Sequence, residues 1–165
     1  MVTATVSEIN KELREKSQKE LIQYCLRMIK FKKDNKELLN YLLFEAYDED
    51  NFKNELKFEL NQQFSELNLN SVYYAKKSLR RILRYVSKHI KYSSIKQTEV
   101  ELLIYYCQQF RQLQIPFHES KVLLNLYNRQ LINIQKAMNT LDEDLQFDYQ
   151  SDLDEISKPL PRIWA

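Results

Sequence analysis

This chain of 165 residues contains no glycine, although average usage would place about a dozen in that length. Glycine supplies positive-φ turns and the close backbone approaches on which phosphate-binding loops depend. Tight primed hairpin turns, dinucleotide-binding fingerprints and P-loops are all built on it. The missing glycine therefore predicts an all-α protein and disfavours the enzyme classes that need those loops.

Length and composition predict one globular domain without a membrane span. Hydrophobic residues make up 44% of the chain, which is typical of proteins that bury a core. The apolar run 102 to 107 is far shorter than the roughly 20 residues of a membrane helix. The start of the chain lacks the basic and apolar regions of a secretory signal. We therefore expect a cytoplasmic protein in which Cys25 and Cys107 are buried thiols and not a disulfide.

Capping boxes mark several helix starts. In a capping box the first side chain accepts a hydrogen bond from an early helical N–H, and the fourth reaches back. Segments 17 to 20, 34 to 37 and 94 to 97 have this form, and further starts are indicated at Asp50 or Asn51, at Ser71 and at Pro116. With the apolar periodicity they predict about six helices, roughly 17 to 33, 35 to 47, 51 to 67, 71 to 92, 96 to 114 and 117 to 141.

Short connections predict that consecutive helices pack antiparallel, as three helical hairpins. These hairpins form either a short α-solenoid-like stack or a compact bundle, and no repeat consensus selects between the two. Apolar residues cover more than half of the circumference of segment 96 to 114, which predicts the central helix. Segments 51 to 67 and 117 to 141 each have one apolar stripe and are expected to lie outside it.

The expected domain organisation has three parts: an N-terminal arm or short helix over 1 to 16, a single helical domain over 17 to 141, and a tail over 142 to 165. The tail is acidic at first, and Pro159 and Pro161 then prevent helix. We expect its end, with Ile163 and Trp164, to dock on the body of the protein. The alternative is that this end is a ligand for another protein.

Charge is segregated along the chain, although the formal net charge is only +2. Residues 34 to 66 have nine acids and three bases, which gives −6, whereas residues 67 to 98 have eight bases and no acid, which gives +8. A third block, 139 to 165, has seven acids and two bases and carries −5. This asymmetry predicts a basic surface that the net charge conceals.

The basic block occupies one side of the predicted helix 71 to 92. At 100° per residue the apolar side chains share one side, and the opposite side carries Lys77, Arg80, Arg81, Arg84, Lys88 and Lys91. Tyr73 lies within this stripe, and Tyr74 and Tyr85 line its edge. Cations flanked by phenol rings suit phosphates and stacked bases, and they also suit an acidic protein. The alternatives are a merely solvated face or neutralisation by the acidic segments of the same chain.

No pattern predicts a catalytic, cofactor-binding or metal site. The two histidines, His89 and His118, have no glutamate three residues earlier, so the paired Glu-x-x-His ligands of di-iron bundles cannot be assembled. We interpret both as structural or surface residues. Segment 48 to 51 lacks the glycine and the distal glutamate of an EF-hand and predicts a helix cap.

These observations lead to the hypothesis of a non-enzymatic helical interaction or scaffold protein, without cofactor, that binds another macromolecule through helix faces, with a protein as the expected partner. The alternative is a nucleic-acid-binding accessory protein that uses helix 71 to 92. Neither a zinc-finger spacing nor an RNP-type aromatic motif accompanies that helix. Binding to a membrane surface is disfavoured, because the apolar side of the helix is needed for the core.

Overall fold

The protein is all-helical, as the missing glycine predicts. The structure is a computed structural model that describes residues 2–162, and no strand occurs in them. Eight α-helices and one 3-10 helix (Phe117–Glu119) follow one another. The α-helices are α1 (Val6–Arg14), α2 (Gln18–Phe31), α3 (Lys33–Phe44), α4 (Glu49–Ser65), α5 (Val72–Ser93), α6 (Lys96–Arg111), α7 (Lys121–Met138) and α8 (Glu143–Ser157). The described residues thus hold two helices more than the six predicted.

Local capping chemistry explains most of the helix starts. At α2 the Glu20 N–H donates to the Ser17 hydroxyl (3.3 Å), and the Glu20 carboxylate accepts from the Ser17 N–H (2.9 Å), which confirms that capping box. Asp48 and Ser71 likewise accept from the N–H three residues later, at α4 and α5. The cap expected at Asp34 is wrong, since α3 already begins at Lys33. The expected start after Pro116 forms only the 3-10 helix, and α7 follows a new N-cap.

Ser94 ends a helix in the left-handed region, a position that glycine usually fills. Its φ is 57°, its N–H donates to the Ile90 carbonyl (2.9 Å), and its hydroxyl donates to the Lys91 carbonyl (3.0 Å). For a residue with a Cβ, this conformation lowers the stability of the fold by roughly 1 kcal/mol or more. The predicted capping box at 94 to 97 is therefore wrong, because Ser94 closes α5 and α6 begins after Ile95 without a side-chain cap.

The two helices of each predicted hairpin pack on each other: α2 on α3, α4 on α5, and α6 on α7. Helix α6 is the central element, since α4, α5, α7 and α8 all pack against it. It buries Val100, Leu102, Leu103, Ile104, Tyr106, Cys107 and Phe110. Helix α7 buries one stripe, including Leu123, Tyr127 and Ile134, and helix α4 likewise buries one face, as expected.

Helix α8 was not predicted. The sequence indicates an acidic tail with little packing after residue 141, whereas the structure has a helix there. Leu153 and Ile156 are buried, and α8 packs on α6 and α7. Arg111 of α6 donates to the carbonyls of Ile156 (3.2 Å) and Lys158 (2.6 Å), so a cation satisfies the orphan acceptors at the C-terminus of α8. The expected docking of Ile163 and Trp164 lies outside the described residues.

The chain divides into two compact units, one ending at Phe44 and the other beginning at Glu45. Among the described residues of the first unit only Tyr41 is buried, whereas the second unit contains the core around α6. Cys107 is buried in that core, but Cys25 on α2 is exposed, which corrects the expectation of two buried thiols. The exposure of Cys25 is shared by its whole helix, since α2 has no buried residue at all.

We predict that Ser94→Gly stabilises the protein, because glycine removes the Cβ that the left-handed backbone disfavours. The matched control is Ser94→Ala, which loses the same hydroxyl but keeps the Cβ. The free energy of unfolding in urea should be higher for the glycine variant than for the alanine variant by about 1 kcal/mol. Equal values for the two variants would show that the Cβ of residue 94 carries no strain.

Candidate functional site

The cations of α5 form one outward-facing surface, which we call the basic face: Lys77, Arg80, Arg81, Arg84, Lys88 and Lys91. With 3.6 residues per turn they fall within an arc of about 100° and extend over about 21 Å of helix from the first to the last. The opposite side of α5 is buried through Ala75, Leu79, Ile82 and Val86. All the cations except Lys88 are exposed, so packing of the apolar side turns the charged side to solvent, as the periodicity predicts.

Five of the six cations of the basic face have no acidic partner among residues 2–162. Within residues 2–162 the side chains of Lys77, Arg80, Arg81, Arg84 and Lys91 make no ion pair and no hydrogen bond. The ammonium group of Lys88 lies 6.0 Å from the centre of the Tyr92 ring. The acids of α8 are exposed, and Asp50 of α4 pairs with Lys53 of the same helix (2.9 Å). The positive charge therefore stays available to a partner.

The tyrosines named with this face have different environments. Tyr73 and Tyr74 are 61% and 49% exposed at the N-terminal end of α5, and their rings meet edge to face with centres 5.4 Å apart. The Lys76 ammonium group lies 5.6 Å from the centre of the Tyr73 ring. Tyr85 is half-buried and its hydroxyl donates to Glu59 of α4. Tyr73 and Tyr74 are thus open to a partner, whereas Tyr85 serves the contact between α4 and α5.

A cavity of about 470 Å³ lies at the C-terminal end of the basic face. Helices α5, α6 and α7 all contribute to its lining, which includes Lys91, Lys96, Ser87, Ser94, Gln130 and Asn133. Lys91 belongs both to the basic face and to this lining. The sequence does not predict the cavity, because its walls come from three helices that only the tertiary fold brings together.

Sequence reasoning also misses a polar cluster around Glu101 of α6. The Glu101 carboxylate accepts hydrogen bonds from Lys53 of α4 (2.9 Å) and from the Tyr149 hydroxyl of α8 (2.6 Å). Lys53, expected on the solvated side of α4, is buried because it reaches this carboxylate. Burial raises the pKa of Glu101, but the hydrogen bonds from Tyr149 and Lys53 outweigh it, and the pKa lies below its ordinary value of 4.5.

Cys107 and Tyr149 are held in their neutral forms, and the two histidines contact the backbone. Burial raises the pKa of the Cys107 thiol to about 12, so this cysteine stays protonated and unreactive at neutral pH. Burial, together with the hydrogen bond to Glu101, raises the pKa of Tyr149 to about 12. His89 makes a hydrogen bond through Nδ1 with the Tyr85 carbonyl (2.9 Å), and His118 makes one through Nε2 with the Leu160 carbonyl (3.0 Å). Both histidines therefore contact backbone carbonyls, in keeping with a structural role.

The first unit exposes a second kind of surface, made of apolar side chains on both helices of its hairpin. Phe31 is 88% exposed, Phe44 is 64% exposed and Met28 is 58% exposed. The remaining members on α2 and α3 are Ile22, Tyr24, Leu26, Leu38, Leu42 and Leu43. We call these nine residues the apolar face. So many exposed large apolar side chains on two short helices favour a contact with another macromolecule.

Comparison with protein-family models, with curated proteins and with solved structures finds no match to this chain. No helix within residues 2–162 has both the length and the hydropathy needed to cross a bilayer. The same described residues contain no group of three or more histidine, cysteine or acidic side chains placed to hold a metal ion. The surfaces described above are therefore the basis for a functional proposal.

We predict that Glu101→Gln lowers the free energy of unfolding at neutral pH by about 1–3 kcal/mol, because the buried Lys53 loses one of its two carboxylate partners. The folded pKa of Glu101 is depressed, so its stabilisation is present above pH 4.5 and is lost as the pH falls through the folded pKa. The difference between wild type and variant should therefore shrink below pH 4.5 in urea unfolding across pH. The exposed Glu119→Gln is the control, and a difference that does not vary with pH would contradict the prediction.

Proposed function

We propose that this chain is a non-enzymatic helical interaction protein of the cytoplasm that binds another macromolecule through exposed helix faces. The observation that carries the proposal is the basic face, in which five exposed cations have no partner among the described residues. A solvated helix face commonly mixes both signs of charge, with acids and bases three or four residues apart. This face has a single sign, because residues 67 to 98 contain no acid. The partner is accordingly an anionic macromolecule.

Two classes of anionic macromolecule fit these charges, an acidic protein and a nucleic acid. Electrostatic complementarity steers association with either of them. Phosphate contacts add a specific property, since each one releases a condensed counterion and steepens the salt dependence of binding. The response of affinity to salt therefore separates a dense polyanion from a largely apolar protein interface.

We predict that the triple change Arg80→Gln, Arg81→Gln and Arg84→Gln weakens binding to a polyanion without unfolding α5, since glutamine is a good helix former. Heparin binding measured from roughly 50 to 200 mM salt should show a log–log slope smaller by about 2 to 3 for three lost contacts. Thermal unfolding should shift by about 2 °C or less. The arginines make no internal ion pair that the change would break.

The matched control removes as many charges from exposed positions of α2, by Lys19→Gln, Arg27→Gln and Lys30→Gln. This control should leave the salt slope close to that of the wild type. If both triple variants lose the same affinity, only net charge matters and the basic face is not the binding surface. If the α5 variant instead melts much earlier and binds normally, the arginines have a structural role.

A second candidate function is association with a protein through the apolar face. The small number of buried residues in the first unit favours it. Units of about 40 residues rarely fold without oligomerisation, metals or disulfides. The first unit buries only Tyr41 among its described residues. A partner that covers α2 and α3 would supply the missing burial.

We predict that the double change Met28→Ser and Phe31→Ser reduces capture of such a partner from nuclease-treated native lysate about fivefold or more, because exposed aromatic and apolar anchors dominate protein interfaces. The control is Phe58→Ser with Phe147→Ser, which removes two isolated exposed rings from the second unit. Equal capture by both double variants would argue against the apolar face.

A further inference from the structure

The cavity at the end of α5 is continuous with the basic face, because Lys91 contributes to both. Ser87 and Ile90, from the last turns of α5, also line it. A chain that follows the cations from Lys77 towards Lys91 therefore arrives at the cavity. The rest of this inference depends on the proposed role of the basic face in binding an anionic macromolecule.

The lining of the cavity has the chemistry that a nucleotide base requires. A base presents an apolar flat surface and an edge of hydrogen-bond donors and acceptors. Ile90 and Leu103 offer apolar surface, while Ser87 and Asn133 offer polar groups. Gln130 is already held by the Leu126 carbonyl (3.1 Å) and by the Asn133 amide (3.3 Å), which leaves the Asn133 Oδ1 and the Ser87 hydroxyl without a partner among the described residues. The volume of about 470 Å³ is within the range of small-ligand sites.

The other end of the basic face provides a stacking surface. Tyr73 and Tyr74 stand exposed there, and stacking of bases on aromatic rings is a common device of proteins that bind single strands. Between the tyrosines and the cavity, the cations extend over about 21 Å, which matches roughly four to six nucleotides. Aromatic rings, phosphate-binding cations and a pocket thus follow one another along a single helix.

This arrangement favours a single strand over a duplex. Stacking on a tyrosine and entry into a cavity both need bases that are not paired. The cations alone suit an acidic protein as well, and it is the rings and the cavity that favour a strand with unpaired bases.

We propose that the basic face and the cavity form one site for single-stranded nucleic acid, in which the cations bind backbone phosphates and the cavity receives one unpaired base. Tyr73 and Tyr74 stack on bases at the opposite end of the strand. The cavity accounts for discrimination between a strand with bases and a polyanion without them, and the cations account for the shared affinity.

The experiment measures fluorescence anisotropy with a labelled single-stranded oligonucleotide of about 12 nucleotides. The same sequence as a duplex, heparin and polyglutamate serve as competitors. Asn133→Phe fills the cavity, and Asn128→Phe makes the same change at an exposed position of α7 outside the cavity lining. The cavity variant should bind the single strand about five- to tenfold more weakly, the loss expected for one displaced base, and should bind heparin unchanged.

Ser87→Leu fills the cavity from α5 and keeps the test decisive if Asn133→Phe lowers the melting temperature. Equal binding of the single strand by the cavity and control variants would overturn the proposal. Competition by the duplex or by polyglutamate as strong as that by the single strand would overturn it as well. In those outcomes a loss of heparin binding in the Arg80, Arg81 and Arg84 triple variant would still support the proposed function. If that triple variant binds every probe normally, both proposals fail.

Discussion

Helix α6 is apolar over most of its circumference and has to be buried on those sides. This constraint determines how the other helices of the second unit pack. Leu102 and Ile104 point to nearly opposite sides of the helix and are both buried, so no single neighbour can cover them. Four helices, α4, α5, α7 and α8, pack around it. Because the apolar side of α5 packs in this core, its other side faces solvent. The basic face is thus a consequence of core packing and is held on a rigid element.

The one substantial charge at the edge of this core is Glu101, and it shows how polar groups are tolerated there. A carboxylate on the central helix would be costly without partners. Lys53 and Tyr149 supply them from α4 and α8, and Lys53 is in turn held by Asp50 at 2.9 Å. The cluster therefore fixes the position of α8, which has few apolar residues of its own to hold it.

Features that depend on residues close in sequence could be predicted, and features that depend on distant partners could not. The caps at Ser17 and Ser71 and the division of α5 into two sides follow from neighbours within one or two turns. Helix α8 buries only Leu153 and Ile156, too few for a periodic signal, and Arg111 completes its end from 45 residues away. The cavity needs α5, α6 and α7 together, so the cations and tyrosines of α5 could be predicted and the cavity could not.

Charge order along the chain matters more for partner choice than the net charge of +2. At physiological salt, fields are screened within about 8 Å, so a ligand at α5 experiences the nearby cations and hardly the carboxylates of distant helices. The described acids form no ion pair with Lys77, Arg80, Arg81, Arg84 or Lys91, and these cations therefore keep their full local charge. A nearly neutral protein can in this way present a surface as basic as that of a strongly cationic one. Long-range attraction between such a protein and a polyanion is weak, so the proposed binding depends on contacts made on α5 itself.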